Sequence, residues 1–228
     1  MRNFITYSLQ LLLLFFVFQQ SQSQVLINEF SAANYDDVTD NYGDESDWIE
    51  LYNTSSAPVD ISGYFLSDRL TNPGKWAFPS GSIIAGNGYL RIWCSNRDEK
   101  VGNSYHTNFK ITQTRDNEAV VFSNASMTII DSNPLDVPNQ KNHSWGRTPD
   151  GGADWAVYTN PTPNGSNSTN AFLPYESTPQ FDMVPGFYTG SVTVGLSNPN
   201  PNVTIYYTTD GSEPDNSDQA YNSPINIT

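Results

Sequence analysis

The chain has 228 residues, 37% of them hydrophobic and 13% aromatic, and a formal net charge of −14. That length suits one large or two small domains, with a core that leans on Trp, Tyr and Phe. The acidity excludes nucleic acid, whose phosphates need clustered Lys and Arg, and docking on anionic lipid headgroups, while it favours solubility and divalent cations.

The first 23 residues open with Arg2, carry an apolar run at 5–18 and end on the small residues Ser21 and Ser23. The run is short for a membrane span, so the segment reads as a secretory signal peptide cleaved near Ser23/Gln24. The mature chain is then expected to be secreted or held at the cell surface. Cys94 is the only cysteine, so there is no internal disulfide framework. In YLRIWCSN, alternation places Leu90, Ile92 and Cys94 on one face and Arg91 and Trp93 on the other. Cys94 is read as a small core residue rather than a reactive thiol.

After the leader, apolar residues alternate with period two in short runs, and almost nothing has helical periodicity. Strands are expected at 25–30, 47–53, 59–60, 64–67, 83–84, 89–94, 119–122 and 128–131, with short closing strands at 145–147 and 155–157. Turn signals separate them, among them Ala57-Pro58, Asn72-Pro73-Gly74, Gly86-Asn87-Gly88 and Pro149-Asp150-Gly151-Gly152. The pattern is all-β, an antiparallel sandwich or barrel. Residues 161–177 begin PTPNGSNSTN and read as a flexible linker between a domain at 24–160 and a second at 178–228. All five tryptophans precede that linker, and no Lys or Arg follows Arg147. Further strands are expected at 181–184, 191–196, 203–208 and 225–228.

The stretch from Val25 to Asp68 holds ten Asp and Glu and no Lys or Arg. Within it, Asp36, Asp40, Asp44 and Asp47 could supply oxygen ligands to Ca²⁺, the one candidate cofactor. Their spacing is not that of an EF-hand, and the alternative is a solvated acidic loop. Asp47 and Glu50 lie three residues apart, so an extended strand turns them to opposite faces and they do not form an acid–base pair. Glu29 and Glu50 flank apolar strand residues, which suits structural hydrogen bonding. No metal-ligand spacing surrounds His106 or His143, the latter expected to be exposed, and no nucleophile elbow, P-loop or dinucleotide motif occurs. No catalytic constellation is therefore expected. Trp76, Trp93, Trp145, Trp155, Tyr206 and Tyr207 could stack on sugars or fill a core.

Several ordered motifs carry a resemblance. Ile27-Asn28-Glu29-Phe30, Asp47-Trp48-Ile49-Glu50-Leu51-Tyr52-Asn53 and the run from Val59 to Asp68 come first. Lys75-Trp76-Ala77-Phe78-Pro79, Ile84-Ala85-Gly86-Asn87-Gly88-Tyr89-Leu90, Ser144-Trp145-Gly146-Arg147 and Asn160-Pro161-Thr162-Pro163 follow in order. Together they resemble the lamin-tail domain over about 25–165, which implies an immunoglobulin-like β-sandwich. The run from Val203 to Pro214, VTIYYTTDGSEP, followed by Tyr221-Asn222-Ser223-Pro224-Ile225, resembles the C-terminal module of chitobiases and β-hexosaminidases. That module usually carries further strands, so an incomplete small sandwich is expected here, at the front of a longer polypeptide. In exported bacterial proteins this order implies a neighbouring unit such as a CotH-type kinase-like domain or a hydrolase. The expected role is non-catalytic adhesion, scaffolding or spacing, with an extracellular polysaccharide or protein as partner; the alternatives are an accessory region of such an enzyme or a Ca²⁺-stabilised carbohydrate-binding module.

Overall fold

The computed structural model describes residues 24–113, 115–172 and 175–228, and the expected signal peptide lies outside them. The chain divides into two compact units, one ending at Ala171 and one spanning Phe172–Thr228. Among the described residues all regular structure is strand.

In the first unit the strands are β1 (Val25–Ser31), β2 (Trp48–Asn53), β3 (Val59–Asp60), β4 (Phe65–Ser67), β5 (Trp76–Ala77), β6 (Ile83–Ile84) and β7 (Tyr89–Trp93). They continue with β8 (Glu99–Val101), β9 (Ser104–His106), β10 (Ala119–Ser123), β11 (Ile129–Pro134), β12 (Ser144–Thr148), β13 (Asp154–Tyr158) and the edge piece β14 (Ala171–Phe172). The larger sheet has the order β14-β13-β12-β1-β2-β7-β9-β8, and the smaller one β11-β10-β4-β5. The two share one core, in the manner of an immunoglobulin-like sandwich. From β13 through β8 the larger sheet's pairings are antiparallel except that β7 and β9 run parallel, with Ile92 opposite Tyr105. The sequence pattern missed β14, which lies in the expected linker, and β5, β8 and β9. The last two form a hairpin with Gly102 at φ 59°, in a polar stretch with little alternation.

The core draws Ile27, Phe30, Ile49, Leu51, Ile92 and Cys94 from the larger sheet and Leu66, Trp76, Phe78, Val120 and Phe122 from the smaller side. Phe78 meets Trp76, Tyr105 and Phe122 at 5.0, 6.2 and 6.3 Å between ring centroids, edge to face in each case. Cys94 is buried in this core as expected, and burial pushes its thiol pKa up. Trp48 and Trp93 sit opposite each other in the β2–β7 register and are also buried, on the other face of the sheet.

Ile27 and Phe30 cannot both face one core in a regular strand, because three residues is an odd step. A β-bulge resolves this. The β1–β2 register runs Ile27 opposite Leu51 and then Glu29 opposite Glu50, leaving Asn28 as the extra residue. The bulge turns Asn28 and Glu29 away from the core while keeping Ile27 and Phe30 in it.

Arg147 ties the two sheets together. Its guanidinium meets Asp131 of β11 at 2.9 and 3.0 Å, its Nε donates to the Ile27 carbonyl at 2.7 Å, and its edge also donates to Gly152. Asp131 in turn accepts the Ile27 amide at 2.9 Å. The ring of Trp155 lies under the guanidinium at 4.8 Å. This buried cation is fully paired, the arrangement that makes a buried charge tolerable.

The second unit is built differently. Its strands are β15 (Gln180–Phe181), β16 (Val192–Val194), β17 (Leu196–Ser197), β18 (Tyr206–Tyr207), β19 (Gln219–Ala220) and β20 (Ile225–Ile227). They form three separate antiparallel pairs, β15–β17, β16–β20 and β18–β19. These strands are shorter than the alternation suggests, and none of the unit's described residues is buried.

Candidate functional site

The acidic loop between β1 and β2 was the sequence's candidate calcium site. The structure gives each of the four candidate carboxylates a separate partner. Asp36 accepts from Lys141 at 2.8 Å and from Asn142. Asp40 takes the amides of Tyr42 and Asp44 at 2.8 and 3.1 Å, closing a tight turn. Asp44 pairs with Arg97, and Asp47 accepts the Asn34 amide at 3.0 Å. Among the described residues no three His, Cys, Asp or Glu side chains converge to hold a metal ion. The four carboxylates of the expected calcium site, Asp36, Asp40, Asp44 and Asp47, are thus held apart on separate partners in this structure. Asp36 and Asp44 meet cations from distant parts of the chain and Asp40 and Asp47 accept backbone amides, while Asp40 Oδ2 is buried without a hydrogen-bond partner among the described residues.

The loop is anchored as well as neutralised. The Asn34 side-chain amide donates to the carbonyls of Val38 and Ser46 at 2.7 and 2.8 Å. His106 on β9 is fully enclosed, with Ser95 Oγ at 2.9 Å from Nδ1 and Asn41 Oδ1 at 2.7 Å from Nε2. The Asn41 carbonyl can only accept, so it sets Nε2 as the protonated nitrogen and Nδ1 as the acceptor of the Ser95 hydroxyl. Burial lowers the His106 pKa and favours the neutral ring. His143, expected to be exposed, is half-buried. A polar cleft of about 630 Å³ beside the loop is lined by Asn34, Asp47, Cys94, Ser95, Arg97 and Lys110, among others. Asp47 sits there with its carboxyl pushed up to about 6 by burial, remote in role from Glu50 as strand parity requires.

A second acidic cluster lies on the outer face of the larger sheet, where the bulge delivers Asn28 and Glu29 beside Glu50. Here the carboxylates are inside. Glu29 and Glu50 are both fully buried, and the side-chain amide of Asn28 bridges Glu50 and Asp150 at 3.2 and 3.0 Å. The covering is residues 160–167, which lie across the sheet as a strap. The amide of Thr162 donates to Glu29 at 3.1 and 3.2 Å and its hydroxyl at 3.0 Å. The amide of Asn164 donates to Glu50. Asn167 gives its amide to Asp150 at 2.9 Å and its side chain to the Arg147 carbonyl at 2.8 Å. A Cβ on Gly146 would stand 2.8 Å from that Asn167 side chain and 2.9 Å from Tyr158, so only glycine leaves the strap its seat. The front of the expected flexible linker is thus corrected: through Asn167 it is part of the first unit, fixed by the donors its composition supplies.

The electrostatics of this pocket follow from burial without a cation. Burial, then the charge of Glu29, holds the Glu50 carboxyl up to about 8, against the hydrogen bonds from Asn28 and Asn164. Burial also raises Glu29, against the bonds from Ser144 and Thr162. Asp150 goes the other way: burial pushes its pKa up, but bonds from Ser166, Asn167, Asn28 and Tyr89 outweigh it. Every one of these contacts is internal, so the cluster acts as a fastening rather than an open reaction centre. This agrees with the hydrogen-bonding role expected for Glu29 and Glu50. Their mutual pairing was not legible, since it depends on a register that the bulge sets.

The family model of the Lamin Tail Domain matches residues 19–134. The chain belongs to the lamin tail domain family. As folded, this lamin tail domain runs past the matched residues, because β12 pairs with both β1 and β13 in the same sheet. The model of the Chitobiase/beta-hexosaminidase C-terminal domain matches residues 183–228, within the second unit. Neither match is to a catalytic domain. No curated protein matches the chain.

The aromatic candidates divide by burial. Trp76 and Trp93 are buried in the lamin tail domain, and Trp145 and Trp155 pack against its core. Trp76, Trp145 and Trp155 pack in or against the sandwich core, and Trp93 is buried on the outer face beneath Arg91, so none of the four presents an open sugar platform. Tyr206 and Tyr207 are half-buried and line an apolar cleft of about 500 Å³ with Phe181, Leu196, Ile205 and Pro214, among others. A second apolar cleft of about 540 Å³ includes Phe187, which is fully exposed, with Tyr188 and Val184.

Proposed function

We propose that this chain is a non-catalytic region of a larger exported protein, serving adhesion, scaffolding or spacing outside the cell. What carries the reading is the contrast in chemical commitment. The polar clusters of the lamin tail domain are turned inward and hydrogen-bonded, whereas the second unit presents apolar clefts lined by Tyr206 and Tyr207. Its partner is an extracellular polysaccharide or protein that offers an apolar face. Sugar rings do so through their C–H faces, and aromatic side chains stack on them while polar edges stay solvated.

A second role has support in the match to the chitobiase/β-hexosaminidase C-terminal domain: an accessory region beside a carbohydrate-active hydrolase. Both roles are tested together by sedimentation with insoluble polysaccharides, comparing the native chain with Tyr206→Ala and Tyr207→Ala. Retention of the native chain and its loss in the variants supports polysaccharide contact. Equal retention of all three, or of none, removes it. Mass analysis of the secreted product should give Gln24 as the first residue; retention of 1–23 contradicts the proposed export route.

A further inference from the structure

We propose that residues 160–167 form a proton-held clasp, closed over the Glu29–Glu50 pair and released when both carboxyls ionise, so that the segment between β13 and β14 changes from fixed strap to free loop. Glu29 and Glu50 are direct partners in the β1–β2 register, so their side chains share one outer face of the sheet. Among the described residues neither forms an ion pair.

The surroundings supply little positive charge. From β7, Arg91 acts on Glu50 through space, but its guanidinium is stacked on Trp93 at 4.1 Å. Tyr89 of the same strand is bonded to Asp150 at 2.8 Å. Asp150, from the turn between β12 and β13, adds a like charge to both glutamates. Tyr158 of β13 senses Glu29 and stays protonated, its pKa raised by burial. The strap brings no ionisable side chain: residues 160–167 read NPTPNGSN. Its whole hold on the pair is neutral hydrogen bonding.

The sign follows from linkage. A carboxyl whose pKa is higher under the strap than in water favours the closed form while protonated, and favours the open form as pH rises. In the folded chain burial and the charge of Glu29 hold Glu50 up from an ordinary 4.5 to about 8, against the Asn164 amide of the strap, so exposure of the carboxyl is increasingly favoured across that window and the pH dependence levels off above it. Asp150 has the opposite sign. Its pKa is lowered, so its contribution is present at neutral pH and is lost as pH falls through its depressed value. The clasp is therefore firmest in mildly acidic solution, weakens through neutral pH and is at its weakest above about 8.

Hydrogen exchange of the full chain at pH 6 and pH 9, corrected for intrinsic rates, reads this directly at Thr162, Asn164 and Asn167. Protection of these amides is expected to fall on the order of tenfold or more between the two conditions, while the β1–β2 amides keep theirs. Glu50→Gln removes the titrating group and keeps the acceptor, so it should hold strap protection at pH 9. Unchanged strap protection in the native chain overturns the clasp, as does loss shared equally by β1 and β2. If Glu50→Gln does not fold, the native comparison alone still decides, and Glu29→Gln supplies the second variant.

Discussion

Two acidic regions of this protein carry the same side chains to opposite ends. In the loop between β1 and β2, Asp36 and Asp44 remain largely exposed, and Lys141 and Arg97 meet them at the surface. In the strap pocket, Glu29 and Glu50 are buried and only neutral donors reach them. Exposed carboxylates need no special relief, because water screens them, and their ion pairs contribute little. Buried carboxylates must be ion-paired, hydrogen-bonded or protonated. The first region therefore tolerates change and the second couples packing to pH.

The largest expected effect lies where a buried charge does have its counter-ion. Arg147→Ala should cost about 3–5 kcal/mol in urea unfolding, since it strands Asp131 at the junction of the two sheets. A loss below about 1 kcal/mol would show that the pair does not hold β11 against the larger sheet. Next comes the strap seat. Gly146→Ala should loosen residues 160–167, read as faster proteolysis there, because its Cβ would meet Asn167 at 2.8 Å. Unchanged cleavage would mean that the strap can shift to accommodate it. The stability profile of the native chain should fall as pH rises through the range from 4.5 to about 8, and Glu50→Gln should flatten that part of the curve. A profile of the same slope in both chains would assign it to other groups. The smallest effects belong to the loop. Arg97→Ala and Lys141→Ala should leave the melting temperature within its scatter, and calcium against chelator should make no difference. A rise with calcium would restore the loop as a cation site.

The strands of the lamin tail domain were legible because its half-buried sheets write period two into the sequence. VLINEF, DWIELYN and AVVF all form strands, and Cys94 lies where alternation puts it. The strap pocket was not legible, for two physical reasons. Alternation alone would place Glu29 on the same face as Ile27, and only the bulge at Asn28 moves it out. Two apolar residues, Ile27 and Phe30, enclosing two polar ones was the available signal. The strap itself hides behind linker composition: Asn, Thr, Ser and Gly mark free chain, yet they also supply the donors that buried carboxylates require. The partners of the acidic loop were not legible either, because Arg97 and Lys141 are 53 and 105 residues away in sequence from their carboxylates.

The second unit extends the contrast. Its alternation promised longer strands than form, and its apolar side chains line open clefts instead of a core. Phe187 is fully exposed, so Phe187→Ser should change stability by no more than about 0.5 kcal/mol, whereas a loss of several would reveal packing around that ring.

The most direct measurement is the carboxyl ¹³C titration of Glu50 in the full chain. The account predicts a midpoint about 8, reporting a carboxyl kept from water beside Glu29 under the strap. A midpoint near the ordinary 4.5 would mean that the carboxyl is solvated, and would contradict both the closed strap and the clasp built on it.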